Sequence, residues 1–165
     1  MEVNIKQALK MFFSKSSFEM IYFEAFANAL DADATEFDIN ISLSNYGELH
    51  NLVVTLSDNG IGFNDVRFGK FSKLFDVEEQ SHKGLGRLVY LCYFDKVEVK
   101  SVFDNSKQRI FEFNEAFDKE CTITEIEPIL NGSIFRMSGF TGERLGKNDY
   151  INPYYIKKAL LETFI

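Results

Sequence analysis

The chain has 165 residues, of which 45% are hydrophobic and 18 are phenylalanine, so it can bury one good core. The net charge of −7 disfavours nonspecific nucleic-acid binding by this domain, since such binding depends on a basic surface. Two cysteines give no disulfide framework, and the sequence shows neither a signal-peptide pattern nor an apolar run near the ~20 residues that span a bilayer. We therefore expect a single domain over residues 1–165, located in the cytoplasm and not in a membrane.

The first predicted element is a helix within residues 18–32, and its polar stripe is its main feature. Glu24, Asn28 and Asp31 fall at positions i, i+4 and i+7, so they lie on one stripe of that helix. Most other positions are apolar, which predicts that the helix is buried. Because an unpaired buried carboxylate costs on the order of several kcal/mol, we expect the stripe to face a ligand. Taken alone, Glu24 and Asn28 could equally form a structural polar pair.

Two strands follow, and they predict the floor of a pocket. Residues 35–43 alternate strictly between apolar and polar side chains, and residues 51–57 have the pattern of an antiparallel partner strand. The same alternation directs Asp58 inward. Gly60 and Gly62 come next and allow the backbone to turn sharply and to approach a ligand. A carboxylate beside bare backbone suits recognition of an exocyclic amine, although this Asp-Asn-Gly sequence alone is also an ordinary hairpin signal.

A charged segment over residues 63–83 is predicted to form a lid that contains a short helix around 66–75. Connections of this length are usually lids, binding loops or disordered segments. The segment ends directly before an apolar helical run at 88–94, in the sequence Lys83-Gly84-Leu85-Gly86-Arg87. Free backbone N–H groups and basic side chains at a helix N-terminus bind phosphate oxygens, so we predict a phosphate loop here. A flexible loop with solvated charges is the alternative for this motif alone.

The rest of the chain predicts further strands and a final helix. A hairpin is expected over 96–103 and 107–113, followed by strands near 121–126 and 133–137 and a helix over 154–165. Ser133 shares a strand face with Phe135 and Met137, so its hydroxyl is also expected to point inward. Cys92 and Cys121 are most simply core residues.

In this order and spacing, the motifs resemble those of the GHKL ATPases, the family that includes the gyrase B subunit, the large heat-shock chaperone, histidine kinases and MutL. The shared features are a Glu-x-x-x-Asn-Ala-x-Asp-Ala helix, an Asp-x-Gly-x-Gly turn, a lid closed by Lys-Gly-x-Gly and a late Gly-Ser strand. The resemblance covers roughly residues 18–137. The helix is most similar to that of MutL and the MORC ATPases, and residues 83–99 are similar to prokaryotic chaperone-like ATPases. Each motif alone is weak evidence, but the ordered set is specific.

The resemblance implies a Bergerat-type fold with the nucleotide between two layers. We expect a two-layer α/β sandwich in which a mixed, mainly antiparallel sheet is covered on one face by helices. We also expect the chain to be the N-terminal fragment of a longer protein, with a lysine from the following domain reaching the γ-phosphate. Closure of the lid would then drive a nucleotide-dependent homodimer.

The same resemblance implies ATP or ADP and Mg²⁺ as ligands and gives each site residue a role. Glu24 would orient or deprotonate the attacking water, and Asn28 would hold Mg²⁺ through its amide oxygen. Asp58 would accept a hydrogen bond from the adenine amino group, with Ser133 and a water in support. The other expected nucleotide contacts are Asp31 near the adenine or ribose, and Gly60, Gly62, Lys83, Gly84, Leu85, Gly86 and Arg87 around the nucleotide.

Three functions remain open on the sequence. An ATP-hydrolysing switch is favoured because Glu24 occupies the catalytic position. A nucleotide-dependent interaction module, in which turnover is incidental, is the main alternative. A histidine-kinase catalytic domain is disfavoured because neither His50 nor His82 lies in a plausible phospho-acceptor helix.

Overall fold

The computed structural model describes Leu9, Ser14 and residues 16–73, 86–142 and 145–165. These residues form one antiparallel sheet and its covering helices. In chain order the elements are α1 (Met20–Asp31), β1 (Phe37–Ser42), β2 (Val53–Asp58), α2 (Asp65–Ser72), α3 (Leu88–Tyr93), β3 (Phe94–Phe103), β4 (Lys107–Phe113), β5 (Thr122–Glu125), β6 (Gly132–Phe140) and α4 (Pro153–Phe164), with 3-10 turns at Leu49–Asn51 and Asn148–Ile151.

The sheet has the strand order β1-β2-β6-β3-β4-β5, and all pairings among the described strands are antiparallel. Strand β6 is last in sequence but lies between β2 and β3. It therefore places Ser133 opposite Asp58 on one side and opposite Ser101 on the other. Directly opposite residues of an antiparallel pair project to the same face, so three polar side chains meet on one face of the sheet.

The hydrophobic core lies between the sheet and the helices. Strands β3, β4 and β6 bury alternate side chains, as expected for strands with one covered face. Helix α1 packs Ile21, Tyr22, Ala25 and Ala29 into this core. Several phenylalanines fill the centre, among them Phe18, Phe71, Phe94 and Phe113. This arrangement confirms the predicted two-layer α/β sandwich with a mainly antiparallel sheet.

Local sequence signals explain where several elements begin. Asn64 caps α2, because its side chain accepts a hydrogen bond from the backbone N–H of Arg67. Asn152 caps α4 in the same way, and Pro153 occupies the first turn, where no backbone N–H is needed. The β3–β4 hairpin turns through Asp104 and Asn105, both with positive φ. Among the described residues, no helix combines the length and apolar character needed to cross a membrane.

Candidate functional site

Three of the predicted site residues line one narrow pocket between α1 and the sheet. Asn28 comes from α1, Asp58 from the end of β2, and Ser133 from β6. The cavity between them is about 10 Å³, which leaves room for roughly one water molecule. The remaining lining residues are Ala25, Phe37, Leu56, Phe63, Arg67 and Phe135.

The floor region is built on strands and consists of Asp58 and Ser133, which line the pocket, and Ser101, whose hydroxyl contacts that of Ser133. Asp58 Oδ1 accepts a hydrogen bond from the backbone N–H of Gly60 at 2.8 Å. Burial raises the pKa of the Asp58 carboxyl, while the Gly60 hydrogen bond and the charge of Arg67 oppose that rise. Ser133 is only 3% exposed and lies directly across from Asp58. The predicted inward direction of Asp58 and Ser133 is therefore confirmed.

Ser101 is a floor residue that the sequence analysis missed. Its hydroxyl accepts from the backbone N–H of Phe63 at 2.7 Å and lies 2.9 Å from the hydroxyl of Ser133. The signal was present in the alternation of β3, where Val97 and Val99 precede Ser101 on the buried face. A polar side chain in a series of buried positions needs a hydrogen-bond partner. That partner, Ser133, is on β6, and only the strand order places it beside Ser101.

The helix end of the site, which consists of Glu24, Asn28, Gly86 and Tyr90, is less completely hydrogen-bonded. Asn28 Nδ2 donates to Glu24 Oε1 at 3.3 Å, a long hydrogen bond. Burial raises the pKa of the Glu24 carboxyl, and the charge of Arg87 and the Asn28 hydrogen bond oppose this rise. Gly86 lies so close that a Cβ atom there would overlap the Glu24 carboxylate. A side chain at position 86 would therefore have to displace the Glu24 carboxylate.

Tyr90, on α3, is a second residue that the sequence analysis missed. Its side chain is fully buried, and its hydroxyl makes no hydrogen bond of standard geometry among the described residues, although the Asn28 side chain lies near enough to lower the pKa of this hydroxyl. Burial, followed by the negative charge of Glu24, raises the pKa of the Tyr90 hydroxyl well above its usual range. A phenol at the centre of a mainly apolar helix was the available signal, since a buried hydroxyl normally has a partner.

Arg67, on α2, lines the pocket. Its guanidinium donates to the backbone carbonyls of Gly62 and Asn28, both at 3.3 Å, and lies 5.3 Å from the centroid of the Phe63 ring. The sequence analysis placed this residue in the charged lid segment. Its inward direction follows from the packing of α2 on β4, through Phe68 and Phe71, which the local sequence does not determine.

Gly60 and Gly62 are needed by the packing of the protein itself. A Cβ atom at Gly60 would collide with Ala32, and one at Gly62 would collide with the carbonyl of Val102. Gly62 also has a φ of +77°, in the region that favours glycine. Close approach of the backbone to a ligand is therefore not required to explain these glycines, and their contact with a nucleotide stays a prediction.

The other predicted contacts are more distant or lie outside the described residues. Asp31 is exposed and influences the site through its charge, which raises the pKa of Glu24 slightly. Arg87 donates to the Lys70 carbonyl at 2.9 Å, with its guanidinium 4.8 Å from the Phe71 ring centroid. Both contacts hold Arg87 against α2. Helix α3, which begins directly after Arg87, is only six residues long. Lys83, Gly84 and Leu85 lie outside the described residues, as does the part of the predicted lid from residue 74 onward.

A larger cavity of about 890 Å³ lies away from these residues, between β1 and α4. Its walls are mainly apolar and include Ile39, Ile41 and Leu160. None of the described site residues lines it, and among the described residues Asp38 and Lys157 are its charged side chains. Volume alone would favour this cavity as a ligand site, but the convergent polar groups are in the small pocket.

No family model matches the chain, and no curated protein matches it either. Within the described part of the chain, no group of three or more His, Cys, Asp or Glu side chains could hold a metal ion by itself. Any functional assignment therefore depends on the geometry and chemistry of the site.

Proposed function

We propose that this chain is a GHKL-type domain that binds an adenine nucleotide with Mg²⁺ between α1 and the sheet and hydrolyses ATP slowly. Closure of the lid would act as a conformational or dimerisation switch in a larger protein. The observation that carries the proposal is the placement of Asp58 and Ser133 opposite each other under Asn28, the residue paired with Glu24. These side chains come from elements far apart in sequence. They are also residues of the ordered motifs that resemble those of the GHKL ATPases.

The floor suits the base of an adenine nucleotide. One oxygen of the Asp58 carboxylate accepts from Gly60, which fixes the orientation of the group. The other oxygen can accept a hydrogen bond from an exocyclic amine. Adenine has such an amine at C6, where guanine has a carbonyl oxygen that a carboxylate would repel. The floor therefore supports a preference for adenine over guanine.

The helix end suits the metal and the attacking water. Asn28 uses its amide nitrogen to bind Glu24, so its amide oxygen, a ligand type that Mg²⁺ prefers, is left for the metal. One protein oxygen fits an Mg²⁺ ion that arrives with the phosphates and keeps several waters. Glu24 has a raised pKa, which makes its carboxylate a stronger base than an exposed one. This residue is suited to orient or deprotonate the water that attacks the γ-phosphate.

The pocket must widen before a purine can enter. A space of about 10 Å³ holds roughly one water and not an adenine ring. Arg67 is the side chain best placed to leave, because both of its hydrogen bonds are 3.3 Å long and it is only partly buried. Nucleotide binding would then displace Arg67 from the carbonyls of Gly62 and Asn28.

Calorimetric titration with ATP, ADP and GTP in the presence of Mg²⁺ tests the proposal, followed by an assay of phosphate release. We expect ATP and ADP to bind and GTP to bind at least tenfold more weakly, which corresponds to about 1.4 kcal/mol. We expect phosphate release to be slow, since phosphoryl transfer depends on cations around the γ-phosphate that a following domain can supply. Equal affinity for GTP would contradict adenine recognition, and ATP binding without any phosphate release would leave only the binding half of the proposal.

A further inference from the structure

A hydrogen-bond network at the floor of the pocket is centred on the hydroxyl of Ser101. This side chain is 0% exposed, and three polar groups lie within hydrogen-bonding distance of its hydroxyl. The backbone N–H of Phe63 donates to Ser101 Oγ at 2.7 Å, and Ser101 Oγ donates to the carbonyl of Gly132 at 3.1 Å. The third contact joins the hydroxyls of Ser101 and Ser133 at 2.9 Å.

The number of hydrogens fixes the direction of this third contact. A serine hydroxyl has one hydrogen and two lone pairs. Ser101 gives its hydrogen to Gly132, and one of its lone pairs takes the hydrogen of Phe63 N. All three contacts are therefore satisfied together only if Ser133 donates its hydrogen to the second lone pair. Ser133 then presents only lone pairs to the pocket.

We propose that Ser101 is a positioning residue that determines specificity, because it makes Ser133 a pure acceptor beside the Asp58 carboxylate. This inference rests on the proposed nucleotide site. Asp58 and Ser133 oppose each other on neighbouring strands and line the same pocket, so both acceptors face the same ligand group. Such a floor selects a group that carries hydrogens, such as an amine at C6 of a purine. It rejects a group that has only lone pairs at that position.

The test compares ATP with 6-methoxypurine riboside triphosphate, which has lone pairs and no hydrogen at the same edge of the ring. In Ser101→Ala, the Ser133 hydroxyl loses its acceptor and can rotate to donate into the pocket. We expect the ratio of the two affinities, measured by calorimetry, to fall about tenfold, which is roughly the value of one net hydrogen bond. In a Ser133→Ala background, Ser101→Ala should leave the ratio unchanged, because the hydroxyl that would rotate is absent.

Ser101→Ala also leaves the Phe63 N–H without its acceptor, so the unfolding midpoint of each variant is measured first. Ser101→Cys is the second variant, since its thiol occupies a similar position but accepts only weakly, and it should shift the ratio in the same direction. An unchanged ratio in the folded variants, or an equal fall in the Ser133→Ala background, would overturn the role of Ser101 while nucleotide binding stands. If the unmodified chain fails to bind ATP, the proposed function is overturned and this inference with it.

Discussion

The two ends of the pocket differ in how completely their polar groups are satisfied. At the floor, Ser101 has a partner for its hydrogen and for both lone pairs, and Asp58 is fixed by the Gly60 N–H. At the helix end, the Tyr90 hydroxyl makes no hydrogen bond of standard geometry among the described residues, and the Glu24–Asn28 hydrogen bond is long, at 3.3 Å. Burial raises the pKa of Asp58 at the floor as well as those of Glu24 and Tyr90 at the helix end, so the ends differ in their hydrogen bonds and not in this respect. At the floor, hydrogen bonds within the protein fix the orientation of Asp58 and Ser101 without a ligand, whereas the polar groups at the helix end are held less firmly.

We expect such a difference if the floor recognises the ligand and the helix end carries out the chemistry. A recognition surface gains selectivity from donors and acceptors that cannot rotate, because the wrong ligand is then left with unpaired groups. A reactive carboxylate gains basicity from burial with few compensating hydrogen bonds, at a cost in stability. We therefore expect substitutions at the floor to change which nucleotide binds. Substitutions at the helix end should change turnover and stability.

The largest effect is expected from Glu24→Gln. ATP turnover should fall on the order of 10²–10⁴-fold, the usual contribution of a positioned general base, while ATP affinity stays nearly unchanged. The matched control is Glu36→Gln, an exposed carboxylate before β1, which should leave turnover intact. Phosphate release and calorimetry on the same preparations separate the two quantities. Loss of binding together with turnover would make Glu24 a structural residue and remove the contrast between the two ends.

Asp58→Asn should act on binding. The amide presents a donor to the adenine amine, so ATP affinity should fall on the order of 10²-fold. The change is measured by calorimetry, and a preserved unfolding midpoint shows that the fold is intact. Asp38→Asn is the control, because Asp38 is an exposed carboxylate on β1 that lines the other cavity. An unaltered ATP affinity in Asp58→Asn would exclude the floor as the base-recognition surface.

Two glycine substitutions sharpen the comparison further. A Cβ atom at Gly86 would overlap the Glu24 carboxylate, so Gly86→Ala should displace that group and lower turnover about tenfold or more, with a smaller change in ATP affinity. Gly69, inside α2, has nothing within 4 Å of an added Cβ. Gly69→Ala should leave turnover unchanged and stabilise the fold by about 0.5–1 kcal/mol. Equal turnover in both variants would show that the contact between Gly86 and Glu24 has no catalytic consequence.

The smallest expected effect is on stability and depends on pH. Burial raises the pKa of Glu24 above 4.5, its usual value, so the folded state binds this proton more tightly than the unfolded state does. The associated stability is present below pH 4.5 and is lost as pH rises through the higher, folded-state pKa. Glu24→Gln should therefore raise the thermal unfolding midpoint at pH 7, and the difference should shrink toward pH 4. A midpoint that is lower than that of the unmodified chain at pH 7 would show that ionised Glu24 is stabilised by its surroundings.

Local patterns were sufficient for most of the fold and for part of the site. Alternation placed β1 and β2 correctly and directed Asp58 inward, and helical spacing placed Glu24 and Asn28 on one stripe. Ser101 was missed because its partner Ser133 lies on β6, which inserts between β2 and β3 only in the folded sheet. The packing requirement for glycine at 60 and 62 was not visible in the sequence for the same reason, since the colliding atoms belong to distant segments.

The account depends most directly on which of the two cavities binds a nucleotide. Titration of the ¹⁵N-labelled chain with ADP and Mg²⁺, followed by NMR, measures this residue by residue without turnover. We predict that the backbone amide signals of Gly60, Phe63 and Ser133 shift with increasing ADP. Those of Ile41 and Leu161, which line the cavity between β1 and α4, should stay in place. Shifts confined to Ile41 and Leu161, or no shifts at all, would contradict an adenine-nucleotide site at the floor.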